Sequence, residues 1–121
     1  AEALARSLSE KTLKSAVFEM DGVKAADLEK ACIGWGLAAY RFDSYKGGKK
    51  NAAFPKLLWP AGVKKHAVEA HIESASLIRT LINIPANDMG PDELEDAAKT
   101  LAEAEGLTIR VIRDKDLLKH N

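Results

Sequence analysis

The side chains best suited to metal chemistry in this sequence are His66, Glu69 and Glu73, which stand at positions i, i+3 and i+7. On an α-helix this spacing places one imidazole and two carboxylates on the same face, and a divalent cation takes ligands of both types. His71 is five residues from His66 and falls on another face, so the pattern is not His-Glu-x-x-His. The competing interpretation, a solvated face with His–Glu and Lys–Glu pairs, is favoured.

The remaining candidates for catalysis are weaker, and the sequence predicts no catalytic, metal-binding or substrate-binding residue within this chain. Cys32 is the single cysteine; it lies on an apolar helix stripe without a visible base and is interpreted as a small buried hydrophobe. Gly34-x-Gly36 lacks the third glycine of a dinucleotide fingerprint and lies inside a predicted helix. His120 lies next to the chain end.

An acidic run near residue 91 has a structural explanation. Asp92 and Glu93 follow Pro91 and complement the positive end of a helix dipole. Glu95 and Asp96 are expected to face solvent.

The segment from Tyr40 to Lys50 interleaves aromatic and basic residues, as a single-stranded nucleic-acid binder does. The chain carries 18 basic and 18 acidic residues and no net charge, whereas nucleic-acid binders usually have a basic excess. We therefore expect a helix end with inward-facing aromatic rings, followed by a flexible loop, and do not expect nucleic acid as a partner.

Composition places the 121 residues in the class of ordinary folded domains. Apolar residues make up 46% of the chain, and no apolar run is long enough to span a membrane. The sequence shows no signal peptide and does not begin with methionine, so we expect a piece of a longer protein.

Three helices are predicted from apolar residues that recur at intervals of three and four. The first covers 25–42, where Gly34 and Gly36 indicate the close approach of another backbone. Its apolar stripe comprises Leu28, Ala31, Cys32, Trp35, Ala38, Ala39 and Phe42. The second covers 63–82 and ends before Pro85. The third begins at Pro91 and stops at Gly106. The expected apolar face of the second helix comprises Val63, Ala67, Ala70, Ser74, Leu77, Ile78 and Leu81.

The other elements are short. Alternation predicts a strand over 12–20 with Ala16, Phe18 and Met20 on one face, and a second strand over 107–113. Residues 54–59 lie between prolines and are predicted to form an edge strand. Asp114 is expected to cap a last short helix. The sequence thus predicts a mixed α/β fold, with helices packed on a small, incomplete sheet.

Three segments of the chain resemble the leucyl aminopeptidase (cytosol aminopeptidase) family. They are the small-residue helix with Tyr-Arg-Phe-x-x-Tyr-Lys at 34–46, the Asn-x-Pro-x-Asn junction at 83–87 within 81–91, and the helix and strand ending in Asp-x-Leu at 94–118. The resemblance implies an internal fragment: the end of an N-terminal α/β domain at 1–62, a connecting helix at 63–84, and the start of the catalytic domain at 85–121.

The resemblance also implies the properties of the parent enzyme. It would be a cytoplasmic, hexameric hydrolase that removes N-terminal residues from peptides with two divalent metal ions, zinc or manganese. The family's metal ligands and its Asn-Thr-Asp-Ala-Glu-Gly-Arg signature lie downstream, and no position here matches them. The chain alone is therefore expected to be inactive. The alternative is a non-enzymatic interaction module or nucleic-acid-binding α+β domain.

Overall fold

A computed structural model describes residues 14–19, 21–47 and 53–120. Its elements are strand β1 (Ser15–Val17), helix α1 (Ala25–Ala39), strand β2 (Lys56–Leu58), helix α2 (Lys65–Asn83), helix α3 (Pro91–Ala104) and a 3₁₀ helix (Asp114–Lys119). The chain divides into a first unit, residues 1–80, and a second unit, residues 81–121. The mixed α/β class predicted from sequence is confirmed.

The sheet consists of β1 and β2, which pair in parallel with Ala16 opposite Leu57. Both strands fall inside the predicted ranges but are shorter. Ala16 and Phe18 turn towards the core while Val17 is exposed, so the predicted alternation is confirmed for the described residues. Met20 lies outside them.

Trp35 on α1 forms the centre of the first unit's core and is only 2% exposed. Phe18 and Phe54 meet its ring edge to face, with centroids 5.6 and 5.3 Å away. Its indole Nε1 donates a hydrogen bond of 3.3 Å to the carbonyl oxygen of Pro55. The helix is therefore held to both strand segments by one side chain, whose polar atom is satisfied.

Helix α1 ends at Ala39, three residues before the predicted end. Tyr40 adopts ψ 132°, which is outside the helical region. The guanidinium of Arg41 donates to the carbonyl oxygens of Ala38 and Tyr40 at 2.7 and 2.9 Å. These bonds satisfy carbonyls at the helix end, so the chain leaves the helix before Phe42.

Gly36 lies where α1 meets α2, as its position in a helix interior indicated. A Cβ at this residue would fall 2.3 Å from Cδ1 and 2.6 Å from Cγ1 of Ile72. The predicted close approach is therefore real, but the neighbour is a branched side chain and not a backbone.

Helix α2 turns a different face inward from the one predicted. Val68 is buried, Ile72 meets Gly36, and Arg79 donates to the carbonyl oxygen of Leu37 at 2.8 Å. The predicted apolar face is wrong at its middle, because these members are exposed: Ala67, Ala70, Ser74, Leu77 and Ile78. Apolar residues occupy two sides of this helix, and the branched side chains that fit against Gly36 belong to the other side.

In the second unit, α3 begins at Pro91 as predicted and ends at Ala104, and Gly106 is the glycine that closes it, also as predicted. Gly106 has φ 64°, and the N–H of Leu107 donates to the carbonyl of Ala102 at 2.7 Å. Together with the bond from Gly106 to Glu103, this is the Schellman arrangement that closes a helix on a left-handed residue.

The predicted strand at 107–113 is absent from the described sheet, which contains only β1 and β2. The alternation is real, but no described segment pairs with it. The prediction that Asp114 caps a helix is also wrong. Arg113 occupies the N-cap position without a side-chain cap, and Asp114 is the first residue of the 3₁₀ helix, at φ 52°.

Among the described residues, no helix combines the length and the apolar character that a membrane span requires.

Candidate functional site

A groove in the second unit lies between the start of α3 and the 3₁₀ helix. It is open to solvent and has a volume of about 780 Å³. Its walls are formed by Glu95, Val111, Arg113, Asp114, Lys115 and Asp116. Charged groups predominate, so any chemistry here depends on whether those charges are free.

Glu95 is the most enclosed of these charges, with its side chain 13% exposed. Lys99 donates to one carboxylate oxygen at 2.6 Å, and Arg113 Nε donates to the other at 2.6 Å. Arg113 also reaches Asp92 at 3.2 Å. The hydrogen bond from Lys99, and then that from Arg113, lowers the pKa of Glu95. Glu95 is thus an ionised, fully engaged carboxylate and a poor general base.

The network has a structural role. It ties α3 to the chain that follows it, because Arg113 lies 18 residues beyond Glu95. The prediction that Glu95 faces solvent is therefore wrong. Asp92 and Glu93 do start the helix as predicted, and Glu93 accepts a hydrogen bond of 3.0 Å from the N–H of Gly90.

We expect Glu95→Gln to make the stability of the fold less dependent on pH. The pKa of Glu95 is lowered in the folded state, so its ionised form stabilises the fold above the unfolded value of about 4.3. That contribution is lost as the pH falls towards the lowered folded pKa. Melting temperatures measured from pH 7 to 2.5 should show the parent above the variant at pH 7 and the two converging below about pH 4.

Asp96→Asn is the matched control for this experiment. Asp96 is 75% exposed and its carboxylate lies 3.6 Å from the same lysine, so its removal should have little effect at any pH. A difference between parent and Glu95→Gln that stays constant down to pH 2.5 would show that the carboxylate does not act through its charge.

The three side chains considered as metal ligands, His66, Glu69 and Glu73, do not converge on a common point in the described structure. Glu69 forms an ion pair with Lys65 at 3.5 Å, and both His66 and Glu73 are exposed. His71 Nδ1 instead lies 2.8 Å from the carbonyl oxygen of Ala67. The described residues contain no group of three potential ligands close enough for one ion. The solvated face with a Lys–Glu pair is the interpretation that the structure supports.

Cys32 is completely buried. Burial, and secondarily the negative charge of Glu29, raises the pKa of its thiol. A nucleophilic cysteine needs the opposite environment, so this residue packs as an apolar side chain. His120, the remaining candidate, contacts Arg110 at 3.1 Å.

The aromatic and basic residues of 40–47 have internal partners. Tyr40 shares a hydrogen bond of 3.1 Å with Thr80, and Lys46 pairs with Asp43 at 3.0 Å. The rings of Phe42 and Tyr45 lie 5.8 Å apart. The rings and charged groups that could stack on bases or bind phosphates therefore contact other residues of the first unit. The basic residues 49 and 50 lie outside the described residues.

Comparison with known proteins relates the chain to peptidases. It is 34% identical over 100% of its length to a probable cytosol aminopeptidase of Neisseria meningitidis. It is 32% identical over 98% of its length to that of Streptomyces avermitilis. The chain spans 27% and 25% of these relatives, about a quarter of their length. No family model matches it.

Solved structures give the same relationship. The crystal structure of a cytosol aminopeptidase from Coxiella burnetii superposes with a TM-score of 0.72 at 34% identity, covering 93% of this chain and 24% of that one. The bottromycin maturation enzyme BotP superposes with a TM-score of 0.71 over 98% of this chain and 27% of that one. At 24% identity, the second match shows a shared fold alone.

Proposed function

The chain is homologous to a segment of the cytosol aminopeptidases, and from this we propose that it is a structural part of an enzyme that removes N-terminal residues from peptides. The observation that carries the proposal is the match at 34% identity, over the whole chain with a relative's sequence and over 93% of it with a solved structure. The segment would hold catalytic groups in place without supplying them.

The contacts of the acidic groups support the proposal that the catalytic groups lie outside this segment. The carboxylate of Glu95, the most enclosed charge of the groove, accepts hydrogen bonds from Lys99 and Arg113. Glu69 forms an ion pair with Lys65. Two divalent metal ions, zinc or manganese, would be held by residues of the parent enzyme outside this chain. In that enzyme they would supply an activated water; no reaction step is assigned to the residues described here.

We assign the segments of the parent as follows. Residues 1–62 end an N-terminal α/β domain, residues 63–84 form the connecting helix, and residues 85–121 begin the catalytic domain. Helix α2 has 19 residues, Lys65–Asn83, and so occupies most of the segment assigned to the connecting helix. The parent would act on peptides as a cytoplasmic hexamer.

The test compares the 121-residue chain with the full natural gene product on a leucine amide substrate, with manganese and with a chelator. We expect leucine release only from the full product, and only with metal. Isothermal titration should show that the short chain does not bind two manganese ions stoichiometrically. Metal-dependent release of leucine by the short chain would overturn the assignment of catalytic groups elsewhere.

The size of the gene product tests the parent itself. We expect its intact mass to be several times that of this chain, as the length of the relatives suggests. A natural product of 121 residues would contradict the proposal. Binding of a single-stranded oligonucleotide that weakens with salt would favour the alternative of a nucleic-acid-binding module.

A further inference from the structure

The second unit has almost no core of its own within the described residues. Ala102, at 8% exposure, is the one buried residue of the described range 81–120. The large apolar side chains of α3 and of the chain after it stay accessible, with these members 40–64% exposed: Leu94, Leu101, Leu107, Ile109 and Val111. A unit that buries one alanine leaves most of its apolar surface in water, so its packing is incomplete.

Residues 107–113, here called the return segment, run back along α3 with an unpaired backbone. The segment starts at Leu107, whose N–H donates to the last turn of the helix, and finishes at Arg113, which pairs with Glu95 near the helix start. Between these points the N–H and C=O groups of 108–112 form no hydrogen bond with the backbone of any described residue. A helix with a segment returning along it is part of an α/β layer, and what this layer lacks is a neighbouring strand.

We propose that a β-strand of the parent polypeptide, from outside these 121 residues, pairs with the return segment and covers its apolar side chains. This inference rests on the proposed function, because it needs the longer parent. The chain matches its relatives over 98–100% of its own length but spans 25–27% of theirs, so about three quarters of such a protein lies outside the matched part. Consecutive strands of one chain are commonly neighbours in a sheet, so the next strand of the catalytic domain is the expected partner.

The side chains of the return segment define the strand that fits it. Leu107, Ile109 and Val111 alternate with Thr108 and Arg110. Cross-strand neighbours stabilise a sheet when apolar side chains meet on one face. The partner should therefore place apolar residues beside the first three and polar residues beside the other two. Its backbone would at the same time satisfy the row of free N–H and C=O groups.

Hydrogen exchange followed by mass spectrometry tests the pairing in the full natural gene product and in the 121-residue chain. In the short chain the amides of 108–112 should exchange as in an unstructured peptide, and in the full product they should exchange at least about 100-fold more slowly. The amides of α1 are the internal reference, because their hydrogen bonds lie within the helix and should protect them in both proteins. Equal exchange of 108–112 in the two proteins would overturn the proposal.

A matched pair of variants tests which side chains are covered. In the full product, Ile109→Asp should reduce the protection of 108–112 at least about 10-fold, because it places a charge on the apolar face of the pair. Thr108→Asp adds the same charge at the neighbouring polar position and should reduce that protection little. Equal effects of the two variants would contradict the assigned face.

Leucine release, measured on the same samples, separates this inference from the proposed function. A full product that protects 108–112 without releasing leucine supports the pairing and contradicts the peptidase. An active product in which 108–112 exchanges as fast as in the short chain overturns the pairing alone. Protection that appears in the short chain as its concentration is raised would assign the partner to a second copy and also overturn the proposal.

Discussion

Trp35→Ala is expected to lower the free energy of unfolding by about 3–5 kcal/mol, as large-to-small aromatic substitutions in cores do. Trp35 is buried and joins α1 to both strand segments through Phe18, Phe54 and the carbonyl of Pro55. Its removal leaves a cavity where these elements meet and an unpaired acceptor at Pro55. The measurement is urea unfolding followed by circular dichroism at 222 nm.

Two variants make this result interpretable. Trp35→Phe keeps a ring between the neighbouring aromatics but loses the bond to Pro55, so a smaller loss of about 1–2 kcal/mol is expected and the fold is retained. Trp59→Ala removes a half-buried indole whose only described ring contact is with Lys65, at 5.8 Å, and should cost less than Trp35→Ala. Equal losses at positions 35 and 59 would show that the core is not centred on Trp35.

Gly36→Ala is the second large effect, and its sign is opposite to that expected of a helix interior. Replacing glycine with alanine ordinarily stabilises a helix by about 1 kcal/mol. Here the new methyl would overlap Cδ1, Cγ1 and Cγ2 of Ile72, which lie 2.3, 2.6 and 2.9 Å from its position. Two of these atoms are attached directly to Cβ, so they move only if χ1 changes, and χ1 of a β-branched residue is restricted in a helix. We expect a net loss of about 1–2 kcal/mol, because overpacking costs about 1–3 kcal/mol.

A double-mutant cycle tests this steric explanation. Ile72→Ala removes all three overlapping atoms, so in that background Gly36→Ala should become stabilising. Gly47→Ala is the control for adding a methyl group, because nothing lies within 4 Å of its position. Destabilisation by Gly36→Ala that persists in the Ile72→Ala background would place the cause in the backbone and not in this contact.

These two residues together fix the packing of the first unit. Trp35 holds α1 against the strand segments, and Gly36 lets α2 lie close against α1. The contacts of Arg79 with Leu37 and of Tyr40 with Thr80 continue the same junction towards the end of the first unit. Helix α2 is therefore held against α1 and the residue after it at several points along its length.

Much of the local structure could be predicted from the sequence. Pro91 and Gly106 set the ends of α3 because each has a backbone preference that acts without tertiary neighbours. The spacing around Trp35 predicted the buried face of α1, where Cys32, Trp35 and Ala38 are the buried residues. The resemblance carried by residues 34–46 and 81–91 also proved correct, since the relatives match along the whole chain.

Other features depended on which surfaces meet. Helix α2 has apolar residues on two sides, and periodicity alone cannot choose between them; the groove at Gly36 selected the side with Val68 and Ile72. The ion pair of Glu95 with Arg113 joins residues 18 positions apart, so the spacing of neighbouring residues could not predict it. Through this pair Glu95, which was expected to face solvent, links α3 to Arg113 within the second unit.

The sequence by itself thus determined where α3 begins and which glycine closes it, the alternation of 107–113 and the family relationship, because each depends on residues that are neighbours in the chain. Only the tertiary structure decided which helix face is buried, which charges are engaged and whether 107–113 finds a partner. These depend on contacts between segments distant in sequence, whose steric and electrostatic fit exists only once the chain has folded.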